Sequence, residues 1–330
     1  MLVQIVKIYK GSFKKYSPQE SLLWDDVQFS EDKEKEADFV VVLNGVKKDI
    51  TVKCNAKNVI CVMQEPYYVG GTDWMDSQLE NYHYVFTNHV PSQLSKNTNI
   101  VLSHGALNWH VDKSYDELKN MNEPNQKVKN ISCIASSLTR WAGHKKRVEF
   151  INYLKENNGL GIDFFGKGTN FLEEKWDGIA PYKYSIAIEN SSIDDYWTEK
   201  ISDVYLSYSL PFYFGCTNID KYFPKESYIW IDISDPKKAL ETMRLAIENN
   251  EYEKRLLYIE EARRRVLDEY NLFPFIVNFI KTLPVQNNKN KIRLKKYRYP
   301  LKERFKRYIE RKRNRIIKIK KALGISSQSS

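Results

Sequence analysis

Residues that commonly hold metals are scarce in this chain. Its five histidines, His83, His89, His104, His110 and His144, show no His-Glu-x-x-His or related spacing, and no Asp-x-Asp pair occurs. No metal and no cofactor are therefore expected. Cysteine is limited to Cys54, Cys61, Cys133 and Cys216, with no Cys-x-x-Cys pair among them. That excludes a dense disulfide framework and reads as reduced core thiols of a cytosolic protein. Glycine numbers only 13 in 330 residues while aromatics reach 13%, which excludes fibrous and disordered compositions. Long apolar runs are missing as well. The opening stretch Met1 to Tyr9 is too short for a signal peptide or a membrane span and is expected to be the first buried strand.

Positive charge is abundant but uneven. The net charge is +10, yet Lys289 to Ile325 alone carries 17 Lys and Arg against two Glu, so the rest of the chain is mildly acidic. Within that tail Leu301, Phe305, Tyr308, Ile309, Ile316, Ile319 and Leu323 recur at near-helical spacing. A basic amphipathic helix of this kind commonly lies on an anionic membrane surface, where each cation contributes roughly 1 kcal/mol. A nucleic-acid backbone and bulk water are the competing partners for the same charges. No nucleic-acid recognition module is visible in residues 1–288, so membrane contact through residues 289–325 is the expectation and nucleic acid is not.

Before the tail, short β-branched runs alternate with helical patterns. Asp38 to Gly45, Asn58 to Met63, His83 to Asn88 and Asn99 to Ser103 read as strands after the first, and their continuous apolar character suggests a parallel sheet covered on both faces. Glu123 to Gln126 is polar, contains proline and reads as a linker. A second alternating series follows, with strands at Asn130 to Ser137, Gly161 to Gly168, Tyr184 to Ile188, Leu210 to Gly215 and Tyr228 to Asp232. The fold class is α/β, two doubly wound, Rossmann-like domains. The expected boundaries are 1–125, 126–285 and a basic tail over 286–330.

Pro181 to Pro224 concentrates the chemistry. The strand ending at Ile188 gives way to the structure-breaking Glu189-Asn190-Ser191-Ser192, after which Asp194, Asp195 or Thr198 can cap a helix burying Ile201, Val204, Tyr205 and Tyr208. Glu199 and Lys200 then fall in its first turn. A cation is disfavoured beside the free N–H groups of a helix start, so Lys200 makes sense if an anion such as a diphosphate completes the site. An exposed first-turn cation is the plainer alternative.

Ile188-Glu189-Asn190-Ser191, Asp195-Tyr196-Trp197-Thr198-Glu199-Lys200-Ile201 and Leu210-Pro211-Phe212-Tyr213-Phe214-Gly215 resemble, in order and spacing, the signature of glycosyltransferase family 10, the α-1,3/4-fucosyltransferases. Ile188 stands where that family usually has Phe, and Tyr205 to Ser209 replaces smaller residues. The resemblance implies the glycosyltransferase-B layout with its site in the cleft between domains. It also implies inverting transfer of fucose from GDP-fucose to a hydroxyl of a glycan of the cell surface. Another nucleotide sugar is the alternative donor. By the same resemblance Arg147 and Lys200 stabilise the diphosphate without a metal, Glu199 accepts from the ribose, and Asn190 and Tyr196 line the nucleotide pocket. Glu65 is the nearest equivalent of the general base, although its setting Gln64-Glu65-Pro66 departs from the family's pattern. With no anchor before its first strand, the chain is similar to the bacterial type, which works peripherally on the cytoplasmic face of the membrane.

Overall fold

The computed structural model describes the chain except residues 33–35, 69–71, 92–95, 122, 123, 125, 137, 138, 140, 141, 167–169, 285, 287, 298–300, 302–304, 306, 307, 310, 311 and 313–330, and the side chains of 73–75. Eight strands come first: β1 (Leu2–Lys7), β2 (Leu23–Trp24), β3 (Val27–Ser30), β4 (Phe39–Leu43), β5 (Ile50–Cys54), β6 (Val59–Val62), β7 (Tyr84–Thr87) and β8 (Asn99–Leu102). Seven of them form one sheet in the order β2-β3-β1-β4-β6-β7-β8, parallel except for the β2/β3 hairpin. Every residue of β4 and β6 is buried, as a strand covered on both faces requires.

The second sheet takes β9 (Lys129–Ile134), β10 (Asp163–Phe165), β11 (Tyr182–Ile188), β12 (Leu210–Phe214) and β13 (Ile229–Trp230) in the order β10-β9-β11-β12-β13, all parallel. A last strand, β14 (Asn290–Leu294), pairs antiparallel with β5 as a separate ribbon. The helices are α1 (Tyr115–Lys119), α2 (Ala142–Glu156), α3 (Glu199–Leu206), α4 (Pro236–Glu248), α5 (Glu251–Lys254), α6 (Leu256–Arg265) and α7 (Leu272–Ile280). All four cysteines are buried free thiols, as their apolar neighbours suggest.

The cores divide the chain differently from the expected boundaries. Ala106 packs with the first sheet, but Trp109, Val111, Tyr115 and Leu118 belong to the core of the second, so the crossing precedes the polar stretch that reads as a linker. Apolar burial, not local polarity, sets this border. The chain crosses back between Leu267 and Leu272, and α7 lies on the first sheet with Phe273 edge-on to Phe29 and Phe279 edge-on to Phe86. Nor does the tail begin free, since Leu294 is fully buried where β14 meets β5. Beyond it Leu301, Phe305, Tyr308 and Ile309 are helical and exposed, while Ile316, Ile319 and Leu323 lie outside the described residues. No helix among the described residues is long and apolar enough to cross a membrane.

Candidate active site

In each sheet the strand order reverses once beside the first strand, between β1 and β4 and between β9 and β11. Such switch points leave a crevice at the carboxyl ends of the strands. Both crevices are present. A cavity of about 330 Å³ in the first domain is walled by residues following β1, β4, β6 and β8, among them Tyr9, Asn44, Glu65 and His110. One of about 280 Å³ in the second is walled by the end of β9, by β11, and by Arg147, Lys175, Glu199 and Lys200.

Thr198 supplies the cap of α3, its hydroxyl accepting from the Lys200 N–H at 3.3 Å. The carboxylate of Glu189, directly after β11, is fully buried and receives the Thr198 N–H at 2.8 Å, the Thr198 hydroxyl at 2.8–2.9 Å and the Lys200 ammonium at 3.0 Å. This corrects the expectation for Lys200. The anion that compensates a lysine at a helix start is a side chain of the protein itself, so the position of Lys200 does not by itself demand a phosphate. Two of the three ammonium donors go to Glu189 and Thr198, and the ammonium also stands 3.5 Å from Glu199 Oε1. Burial works to lower the Lys200 pKa, but Glu189 and Glu199 outweigh it and hold the group above its ordinary value. Gly215 closes this cluster, since a Cβ there would stand 2.4 Å from Glu189 Cγ and 2.6 Å from the Tyr213 hydroxyl.

Arg147, on the second turn of α2, is 5% exposed. Its guanidinium donates to Asn190 Oδ1 and, at 3.2 Å, to the Ser136 carbonyl, while its buried Nε–H has no partner among the described residues. Gly143 allows this approach, because a Cβ at that position would lie 1.9 Å from the Asn190 carbonyl oxygen. Burial lowers the Arg147 pKa and Glu189 opposes that, so the charge is retained without a carboxylate bonded to it. A buried guanidinium with an unmet donor is costly to leave so, and this one lies beside the cavity. Asn190 therefore meets the cavity through Arg147. Tyr196 is 5% exposed, and burial first and then Glu189, Glu65 and Glu199 push its hydroxyl well above the usual range.

Burial would raise the Glu199 pKa, yet Lys200, His110 and Lys175 together pull the carboxylate down to about 2. The His110 ring comes from the segment just past the crossing, which also walls the first-domain cavity, with Nδ1 3.8 Å from Glu199 Oε1. Across the same cleft stands Glu65, open to solvent but flanked by protein that raises its pKa, with Lys200 pulling down and Glu199 pushing up. Glu65, Glu199 and Lys200 thus share one electrostatic neighbourhood although about 130 residues of sequence separate them. Local sequence assigned no site role to Glu189, Lys175, Asp203 or His110. A usable signal existed for one of them, since Asp203 lies four residues after Glu199 and on the same helical face.

Two doubly wound parallel sheets, with a helix returning from the second domain to the first and charged side chains of both meeting between them, define a glycosyltransferase-B architecture. Residues 124–265 match the family described as "Glycosyltransferase family 10 (fucosyltransferase) C-term". The chain is 33% identical over 95 residues to GDP-fucose protein O-fucosyltransferase 3 of Danio rerio, a stretch covering 28% of this chain and 20% of the relative. It is 27% identical over 119 residues to 4-galactosyl-N-acetylglucosaminide 3-alpha-L-fucosyltransferase 9 of Cricetulus griseus, covering 34% and 33%. The chain thus spans a third or less of the length of these curated relatives. Among solved structures it is similar to an alpha1,3-fucosyltransferase at 14% identity and a TM-score of 0.49, over 91% of this chain and 92% of the other.

Proposed function

We propose that this protein is an inverting fucosyltransferase that moves fucose from GDP-fucose to a hydroxyl of a surface glycan. The observation that carries the reading is Arg147, a buried guanidinium with an unmet donor that shares a switch-point cavity with Lys200 and Glu199 inside the family-matching segment. Arg147 and Lys200 meet the diphosphate, and Glu199, held ionised, accepts from the ribose hydroxyls. Asn190 orients Arg147, and Tyr196 backs the nucleotide side of the cleft. Glu65 faces them from the other domain, as a base on the far side of the anomeric carbon must. The acceptor oxygen attacks that carbon and its proton passes to Glu65. The bond to the diphosphate breaks with its electron pair going to the leaving oxygen, where the two cations stabilise it.

The donor is tested by incubating the full chain with labelled GDP-fucose, GDP-mannose and UDP-sugars and measuring hydrolysis and transfer. Turnover of GDP-fucose alone is expected, and exclusive use of a UDP-sugar would replace this donor. The exposed apolar stripe of Leu301, Phe305, Tyr308 and Ile309 supports peripheral attachment of residues 289–325 to an anionic membrane, on its cytoplasmic face.

A further inference from the structure

We infer that Asp203, Lys175 and His110 are positioning residues for Glu199, a reading that rests on the nucleotide site proposed above. Asp203 is four residues after Glu199 on α3, so the two carboxylates lie on one face, and it is fully buried. Each of its oxygens holds a different segment. Oδ2 receives the Lys175 ammonium at 2.6 Å from the loop that walls the second-domain cavity, and Oδ1 receives the His110 backbone N–H at 2.8 Å from the segment that walls the first-domain cavity. The two segments are also tied directly, because the Lys175 N–H donates to Asp112 at 3.1 Å.

A tie made for stability alone would need no more than these backbone and carboxylate bonds. Here the His110 ring also stands against Glu199 although it is 60% exposed, and Lys175 shares the second-domain cavity with Glu199 and helps keep its carboxylate ionised. Nothing about packing requires an exposed imidazole to stand 3.8 Å from that carboxylate. Asp203 thereby fixes both segments, and with them the Lys175 ammonium and the His110 ring, beside the helix that carries Glu199. The carboxylate is held at one place and one orientation, which is what discrimination of a pair of vicinal hydroxyls needs.

The test is calorimetric titration of the full chain with GDP, 2′,3′-dideoxy-GDP and inorganic pyrophosphate. The wild-type protein is expected to prefer GDP over the dideoxy nucleotide about tenfold or more, the usual weight of hydrogen bonds to a charged group. His110→Ala removes an exposed ring and should fold normally. It is expected to cut that preference at least threefold while leaving pyrophosphate affinity unchanged, and His110→Gln, which restores a donor, recovers part of the loss. Asp203→Asn is expected to follow His110→Ala, with its thermal midpoint as the control for folding. An undiminished preference in His110→Ala overturns the inference and leaves the nucleotide site standing. Equal binding of GDP and the dideoxy nucleotide by the wild-type protein removes Glu199 from the ribose and overturns it too. Failure of the wild-type protein to bind GDP at all overturns the proposed function along with it.

Discussion

Lys200 donates to Glu189 and Thr198 with two of its three N–H groups, so removing it has two separable consequences. Lys200→Ala leaves a buried carboxylate unpaired, and the expected destabilisation is near the lower end of the roughly 3–5 kcal/mol typical of broken buried pairs, because the lysine is 22% exposed. Lys200→Met combined with Glu189→Gln removes both charges. In thermal melts the double variant should recover most of the lost stability, yet in calorimetry it should still bind GDP at least tenfold more weakly than the parent. Recovery of GDP affinity along with stability would confine Lys200 to a structural role. For Glu65 the expected effect is on turnover: Glu65→Gln keeps GDP affinity and lowers kcat about a hundredfold or more. Because the surrounding protein raises its pKa, the acid limb of kcat/KM should lie above the ordinary carboxylate range, with activity lost as pH falls through it and flat above it. The acid limb should disappear in Glu65→Gln. The helix start with Glu199 and Lys200 was legible in the sequence because its motif is local, whereas Arg147 was singled out only through the family resemblance. Glu189 was not legible, because its neighbours Asn190-Ser191-Ser192 suggest a solvated loop, and only the return of α3 over the end of β11 buries it.

The decisive element is the strand, loop and helix from β11 to α3. Thr198 caps the helix as one of three residues the sequence offered, and the choice falls to it because its N–H and hydroxyl both reach Glu189. Thr198→Val should therefore cost more than the roughly 1 kcal/mol of a lost cap, since Glu189 also loses the hydroxyl donor. Denaturant midpoints of Thr198→Val and Thr198→Ser would measure this, with Ser expected to be nearly neutral. Most strands of the two sheets were readable from their continuous apolar runs, which have few alternatives once turn residues bound them. The β2/β3 hairpin and the β5/β14 ribbon were not, because two-residue and half-exposed strands carry no such pattern.

At the scale of the whole molecule the two domains are not consecutive in sequence. His104, held neutral by burial that lowers its pKa to about 3, leaves the first sheet and stacks on Trp197 of the second domain at 4.7 Å, and α7 returns the chain to where it began. A fragment ending at residue 125 would expose the face that α7 covers and should aggregate, whereas the chain cut after residue 297 should retain the native melting transition. The same cut tests the tail. Co-sedimentation with anionic vesicles should be lost in that truncation and should be weak with neutral vesicles for the full chain; equal binding to both would count against an electrostatic attachment. Cutting after residue 288 would confuse the result, because it also removes β14 from its pairing with β5.

By itself the sequence determined what is local: the strands and helices of both α/β halves, the capped helix start with Glu199 and Lys200, and the basic tail, each written in residues a few positions apart. Tertiary structure alone decided where one domain stops and the other begins, that Glu189 neutralises Lys200, and that Glu65 and His110 come near Glu199. The physical reason is that these outcomes depend on which apolar faces bury one another and which charges that burial brings together across long stretches of chain, and no periodicity or spacing records such pairings.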